Sequence, residues 1–166
     1  MEFYMPVKVY QEKECVRNHP EVFGKFGMKA LIVTGKSSAK KNGAYDDVTA
    51  VLEGLGIAYT LFDEVEENPS IETVMKARDF GLRENAEFVI GIGGGSPLDA
   101  AKAVALMMYH KEEGAEYLYE KKDSTRLPLV LIPTTCGTGS EVTGVSVMTI
   151  HAKKTKGSIS HKVFGD

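Results

Sequence analysis

The 166-residue chain is short of several things, and each shortage removes a class of function. It has 2 cysteines, Cys15 and Cys136, too few for a disulfide framework. No apolar run approaches the length of a membrane span; the best, Leu127 to Pro133, is the size of one strand. The opening residues, Met1-Glu2-Phe3-Tyr4-Met5-Pro6, hold neither a basic nor an apolar region, so no secretory signal is expected. Neither sign of charge dominates: 20 Lys and Arg stand against 23 Asp and Glu, a formal charge of −3. Without clustered Lys and Arg to hold backbone phosphates, nucleic acid is not an expected partner. No Gly/Ser-rich tract, low-complexity segment or repeat interrupts the chain. What is left, 43% hydrophobic and 26% charged, reads as one soluble, cytoplasmic globular domain.

Glycine, by contrast, is plentiful, with 17 residues, and many follow short apolar runs. Ala30–Thr34 reads as a buried strand closed by Gly35, and about Ala44 to Leu55 as a helix ended by Gly54 or Gly56. Ala58–Asp63 is a second strand. Pro69 and Ser70 open a helix that Val74, Ala77 and Phe80 continue. Phe88–Ile92 is a third strand, running into Gly93-Gly94-Gly95-Ser96, and Pro97 to about Tyr109 is the next helix. Leu129–Ile132 is a fourth strand, and Val142–Ile150 alternates loosely enough for a fifth. Strands alternating with helices predict an α/β fold with a mostly parallel sheet covered on both faces. In such sheets a ligand sits at the carboxyl ends of the strands, where the glycines at 35, 93–95 and 137–139 fall.

Two segments carry the chemistry. In Gly91-Ile-Gly-Gly-Gly-Ser-Pro-Leu-Asp-Ala-Ala-Lys102, a strand enters, three glycines turn and a helix leaves. Glycine lets an anion approach the bare backbone, and the free N–H groups of the helix start carry the positive end of its dipole. Ser96 is placed to cap that helix, Pro97 suits its first position, and Asp99 completes a capping box. The same residues would serve a capped turn with no ligand, in which Lys102 only solvates a helix face; but one glycine would suffice for that. The G-x-G-x-x-G fingerprint fails at Ser96, and the P-loop lacks its terminal Gly-Lys-Ser/Thr. The second segment, Pro133 to Thr143, sets Thr134, Thr135, Thr138, Ser140 and Thr143 around Gly137 and Gly139. Its hydroxyls and amides suit phosphate, ribose or carboxamide; alone it would read as a polar turn.

Together with Asn68-Pro69, these two motifs resemble the iron-containing (group III) alcohol dehydrogenase family, over essentially the whole chain from Tyr4 onward. The resemblance implies the N-terminal, Rossmann-like half of a dehydroquinate synthase-like two-domain fold: residues 1–166 as an NAD(P)-binding domain. It implies NAD(P)-linked interconversion of alcohols with aldehydes or ketones, with a divalent metal, usually iron, polarising the substrate oxygen. It places Gly94, Gly95 and Ser96 at the pyrophosphate and Asp99 beside the cofactor. Thr134, Thr135, Thr138 and Thr143 would line the nucleotide, Asn68 the ribose side, and Lys156 would reach the nicotinamide ribose. The family's metal ligands, an aspartate and three histidines, belong to a C-terminal helical domain that the chain is expected not to include. Its own His19, His110, His151 and His161 lack H-x-x-x-H or H-E-x-x-H spacing, so neither a metal site nor a catalytic residue is expected here.

Members that prefer NAD resemble one another in an acidic residue at the end of the first strand. Here Gly35 stands there, followed by Lys36, Ser37 and Ser38, with Lys40 and Lys41 behind. Glycine makes room for a 2′-phosphate, hydroxyls donate to it and lysines offset its charge, so NADP is the expected cofactor and NAD the alternative. Cys136 reads as a small packing residue, with no histidine placed to activate it. Two other functions stay open: a glycerol dehydrogenase-like enzyme, whose family shares the glycine loop, and a nucleotide-binding module without catalysis. The expected partners are a small alcohol or aldehyde and, in a full-length enzyme, further copies of itself, with Phe3–Tyr10 as a candidate edge strand for that contact.

Overall fold

A computed structural model describes all residues from Met1 to Asp166. Four strands, β1 (Lys29–Thr34), β2 (Ala58–Phe62), β3 (Phe88–Gly93) and β4 (Leu129–Pro133), form one parallel sheet in the order β2-β1-β3-β4. Ile32 sits opposite Leu61 on one side and Ile90 on the other. Both faces are covered, which explains why β1 and β3 read as continuous apolar runs rather than alternating ones. Leu31, Val33 and Val89 point into a core made with α5 (Ile71–Arg83) and α6 (Gly95–Tyr109). Ala30, Ile32, Phe88 and Ile90 point the other way, onto α4 (Ala44–Gly54) and the short helices α1 (Cys15–Asn18), α2 (Glu21–Gly24) and α3 (Ser38–Lys41).

The helices follow from local sequence. Ser70 caps α5, its hydroxyl accepting from the Thr73 N–H at 3.1 Å, and Val74, Ala77 and Gly81 make the buried stripe. α6 is apolar almost all round, with 11 of its 15 residues buried, and so lies inside the fold rather than on its surface. Each large side chain it buries contributes roughly 1.5–3 kcal/mol.

After β1 the chain passes through α4 to β2 on one side, then returns through α5 to β3 on the other side of β1. The strand order reverses between β1 and β3, and their carboxyl ends therefore open a crevice. Gly35 and Gly93–Ser96 form its two lips.

Four expectations need correction. Val142–Ile150 is not a strand of the parallel sheet: only β5 (Val147–Ile150) is extended, and it pairs antiparallel with β6 (Thr155–Ser158) in a separate hairpin. The cause is tertiary. The Val145 carbonyl accepts from Lys102 and the Val147 N–H donates to Asp99, so this stretch is tied to α6 instead. Phe3–Tyr10 forms no strand and is mostly exposed. α6 begins at Gly95, two residues before Pro97, and Ser96 does not cap it, because the Ser96 hydroxyl accepts from the Asn68 N–H at 3.1 Å. Cys136 is exposed, at the edge of a groove, rather than a packing residue of the interior.

Candidate functional site

The site is built where β3 turns into α6. Gly93 takes φ +148°, which favours glycine, and its carbonyl accepts from the Thr134 N–H at 2.9 Å, joining the glycine turn to the loop after β4. The N-cap, Gly94, offers no side chain to the first turn of α6. A Cβ on Gly95 would stand 2.9 Å from the Thr138 methyl, and one on Gly94 would stand 3.3 Å from the Thr135 hydroxyl. The absent side chains thus let the hydroxyl loop close over the turn. They also leave the positive end of a 15-residue helix uncapped by any side chain, an arrangement suited to an anion.

Asn68 holds the opposite wall. It adopts φ +57°; its N–H donates to Ser96, its carbonyl accepts from the Thr149 hydroxyl at 2.9 Å, and its Oδ1 accepts from Lys156 Nζ at 2.8 Å. Between these walls lies a cavity of about 190 Å³, lined among others by Asn68, Gly95, Ser96, Asp99, Thr138 and Lys156. Six residues singled out from distant parts of the sequence thus share one pocket. Of Lys153, Lys154 and Lys156, which crowd one stretch of the chain, Lys156 reaches it.

The other candidates lie around this cavity. Thr134 and Thr135 line a larger, mostly apolar groove of about 800 Å³ between β4 and the N-terminal segment, which also carries Val7, Val16 and Ile132. Thr143 lies 3.5 Å from Lys102 Nζ. Asp99 reaches the cavity wall, but its carboxylate is already engaged: Oδ1 accepts from the Ser140 hydroxyl at 2.6 Å and Oδ2 from the Val147 N–H at 3.0 Å.

Across the crevice, Gly35 has an unremarkable backbone, and a Cβ there would meet only the Val65 carbonyl at 3.5 Å and Pro97 at 4.0 Å. Lys36, Ser37 and Ser38 are exposed. Lys36 forms no ion pair, whereas Lys40 holds Asp63 at 2.8 Å. Thus the carboxylate at the end of β2 is already paired.

Sequence reasoning missed Lys102. Its side chain is fully buried, and burial pushes its ammonium below the usual lysine range while Asp99 pulls the other way. A signal was present: Ala100, Ala101, Ala103, Val104 and Ala105 surround it, so α6 has no wet face there for a lysine to occupy.

No three His, Cys, Asp or Glu side chains gather to hold a metal ion. His161 is buried, its ring nitrogens bonded to the Ser124 hydroxyl and the Tyr117 carbonyl. The Asp166 carboxylate accepts from Arg126 and from the Leu129 N–H. No helix is long and apolar enough to cross a membrane.

Comparison with known proteins bears on the family and the fold. The family model described as iron-containing alcohol dehydrogenase matches residues 6–165. The chain is 42% identical over 133 residues to a long-chain primary alcohol dehydrogenase of Thermoanaerobacter ethanolicus, covering 79% of this chain and 33% of that protein. It is 33% identical over 161 residues to NADH-dependent butanol dehydrogenase A of Clostridium acetobutylicum, covering 96% and 41%. A further butanol dehydrogenase relative is named for NADPH. The fold matches the crystal structure of an iron-containing alcohol dehydrogenase from Thermotoga maritima with TM-score 0.89 and 44% identity, over 99% of this chain and 46% of that one. The chain therefore spans less than half the length of the relatives it matches.

Proposed function

The chain belongs to the iron-containing alcohol dehydrogenase family, and from that premise we propose that it is the cofactor-binding half of an enzyme that interconverts alcohols with aldehydes or ketones. The observation that carries this reading is the uncapped start of α6, opening into a cavity walled by Gly95, Ser96, Asn68, Thr138 and Lys156. The backbone of Gly94, Gly95 and Ser96 would hold the pyrophosphate, and the hydroxyls of Thr134, Thr135, Thr138 and Thr143 would surround the nucleotide. Asn68 and Lys156, already bonded to each other, would orient the ribose on the nicotinamide side. The bound nicotinamide accepts or returns the hydride; this chain binds it, orients it and shields its phosphates from water.

NADP is the better ligand in this reading. Gly35 has no side chain at the crevice lip and would accept a Cβ without a clash, Lys36 is an unpaired cation there, Ser37 and Ser38 expose hydroxyls, and Asp63 is neutralised by Lys40. The residues present do not fit a metal site. In this reading the substrate is a small alcohol or aldehyde, the family's metal is a divalent ion, iron by resemblance, and the working enzyme is a cytoplasmic homo-oligomer.

Calorimetry of this chain with NADP, NAD and ADP-ribose tests the reading. All three should bind, NADP more tightly than NAD. Absence of binding by all three would sink the dinucleotide site, and equal or tighter binding of NAD would sink the cofactor preference alone.

A further inference from the structure

Lys102 is the one fully buried lysine, lying about two turns into α6 behind the cavity. Its Nζ donates to the Ser140 hydroxyl at 2.8 Å and the Val145 carbonyl at 2.8 Å, stands 3.5 Å from the Thr143 hydroxyl, and lies 3.6 Å from Asp99 Oδ1. Ser140 completes a relay, accepting from Lys102 and donating to Asp99. Lysine is almost never fully buried without a partner, and breaking such a pair leaves an uncompensated charge. The location of that charge matters more than its stability. Asp99 shares the wall of the small cavity with Gly95 and Ser96, where the uncapped helix start favours an anion. A bare carboxylate there would repel the same anion.

We infer that Lys102 is a positioning residue for the dinucleotide site, whose buried charge cancels that of Asp99 at the wall of the phosphate cavity. Asp99 can then tie the loop of Ser140 to Val147 onto α6 without opposing the ligand. The inference rests on the dinucleotide reading above, and the test separates the two.

ADP-ribose, whose pyrophosphate must enter the cavity, is titrated into the wild-type chain and into Lys102→Met, Asp99→Asn and the double variant. Lys102→Met should weaken binding by about tenfold or more, and adding Asp99→Asn should recover most of that loss. Asp99→Asn alone, which removes the repelling charge and keeps the ammonium, should tighten binding by about threefold or more. A double variant as weak as Lys102→Met would overturn the inference, since a merely structural lysine is not rescued by removing a charge. So would an Asp99→Asn variant that binds equally or more weakly. If Lys102→Met does not fold, the Asp99→Asn titration decides alone. Wild-type chain that fails to bind ADP-ribose overturns the site reading, and this inference with it.

Discussion

The turns after β1 and β3 face each other across one crevice and are built in opposite ways. The β3 turn is bare backbone pressed under other chain: Gly93 is bonded to Thr134, and Gly94 and Gly95 touch Thr135 and Thr138. The β1 turn is exposed side chain: Lys36, Ser37 and Ser38 follow a glycine whose Cβ would make ordinary contacts and clash with nothing. A turn fixed from several sides can present backbone donors in one geometry only. A turn fixed by little can change its side chains without disturbing the sheet. In the proposed function, the first binds what all nicotinamide dinucleotides share, and the second reads what differs between them.

That contrast can be broken in order of effect. Gly95→Val puts a branched side chain against Thr138 and should weaken NAD and NADP alike by about a hundredfold, roughly 2.7 kcal/mol, with the melting transition kept. Calorimetry showing a loss for one cofactor only would erase the distinction between the turns. Gly35→Asp should move the NADP-to-NAD affinity ratio toward NAD by about tenfold, roughly 1.4 kcal/mol, since the new carboxylate repels a 2′-phosphate. An unmoved ratio would remove the β1 turn from cofactor choice.

Two smaller effects mark the boundary of the site. Ser70→Ala removes the cap of α5 and should cost about 1 kcal/mol in denaturant unfolding while leaving the cofactor ratio unmoved. Beside that cap, Glu66 accepts from the Ser70 N–H at 2.8 Å and the Thr73 hydroxyl at 2.9 Å. Burial pushes its carboxyl up, but these hydrogen bonds and its own backbone outweigh that and hold it below the usual glutamate range. A depressed folded-state value gives stability that is present above the unfolded value of about 4.3 and lost as pH falls through the folded one. Glu66→Gln should therefore flatten the acid limb of a stability-against-pH curve, and an unchanged limb would refute the assignment.

The sheet was legible in the sequence because a strand covered on both faces needs an unbroken apolar run, and Ala30–Thr34 and Phe88–Ile92 are such runs. The glycine turn was legible because three successive glycines exceed what a capped turn needs; that a Cβ on Gly95 would press on Thr138 was not. What could not be read was set by contacts across the chain. Ser96 resembles a helix cap until Asn68, 28 residues earlier, takes its hydroxyl. Val142–Ile150 resembles a strand until Asp99 and Lys102 bind its backbone from more than 40 residues away. Lys102 is easily passed over because a lysine is usually wet, and only its apolar neighbours along α6 argue otherwise.

The bond from Lys156 to Asn68 spans 88 residues and closes one wall of the cavity. The residues that pair β1 with β2 and β3, by contrast, all precede Gly93. Synthesis from the N-terminus therefore delivers the two sets of residues at different times. The sheet can assemble while the hairpin is still unsynthesised, and the pocket can close only after residue 156 has emerged. A chain halted between those points would carry the open crevice and the glycine turn without the wall that encloses them.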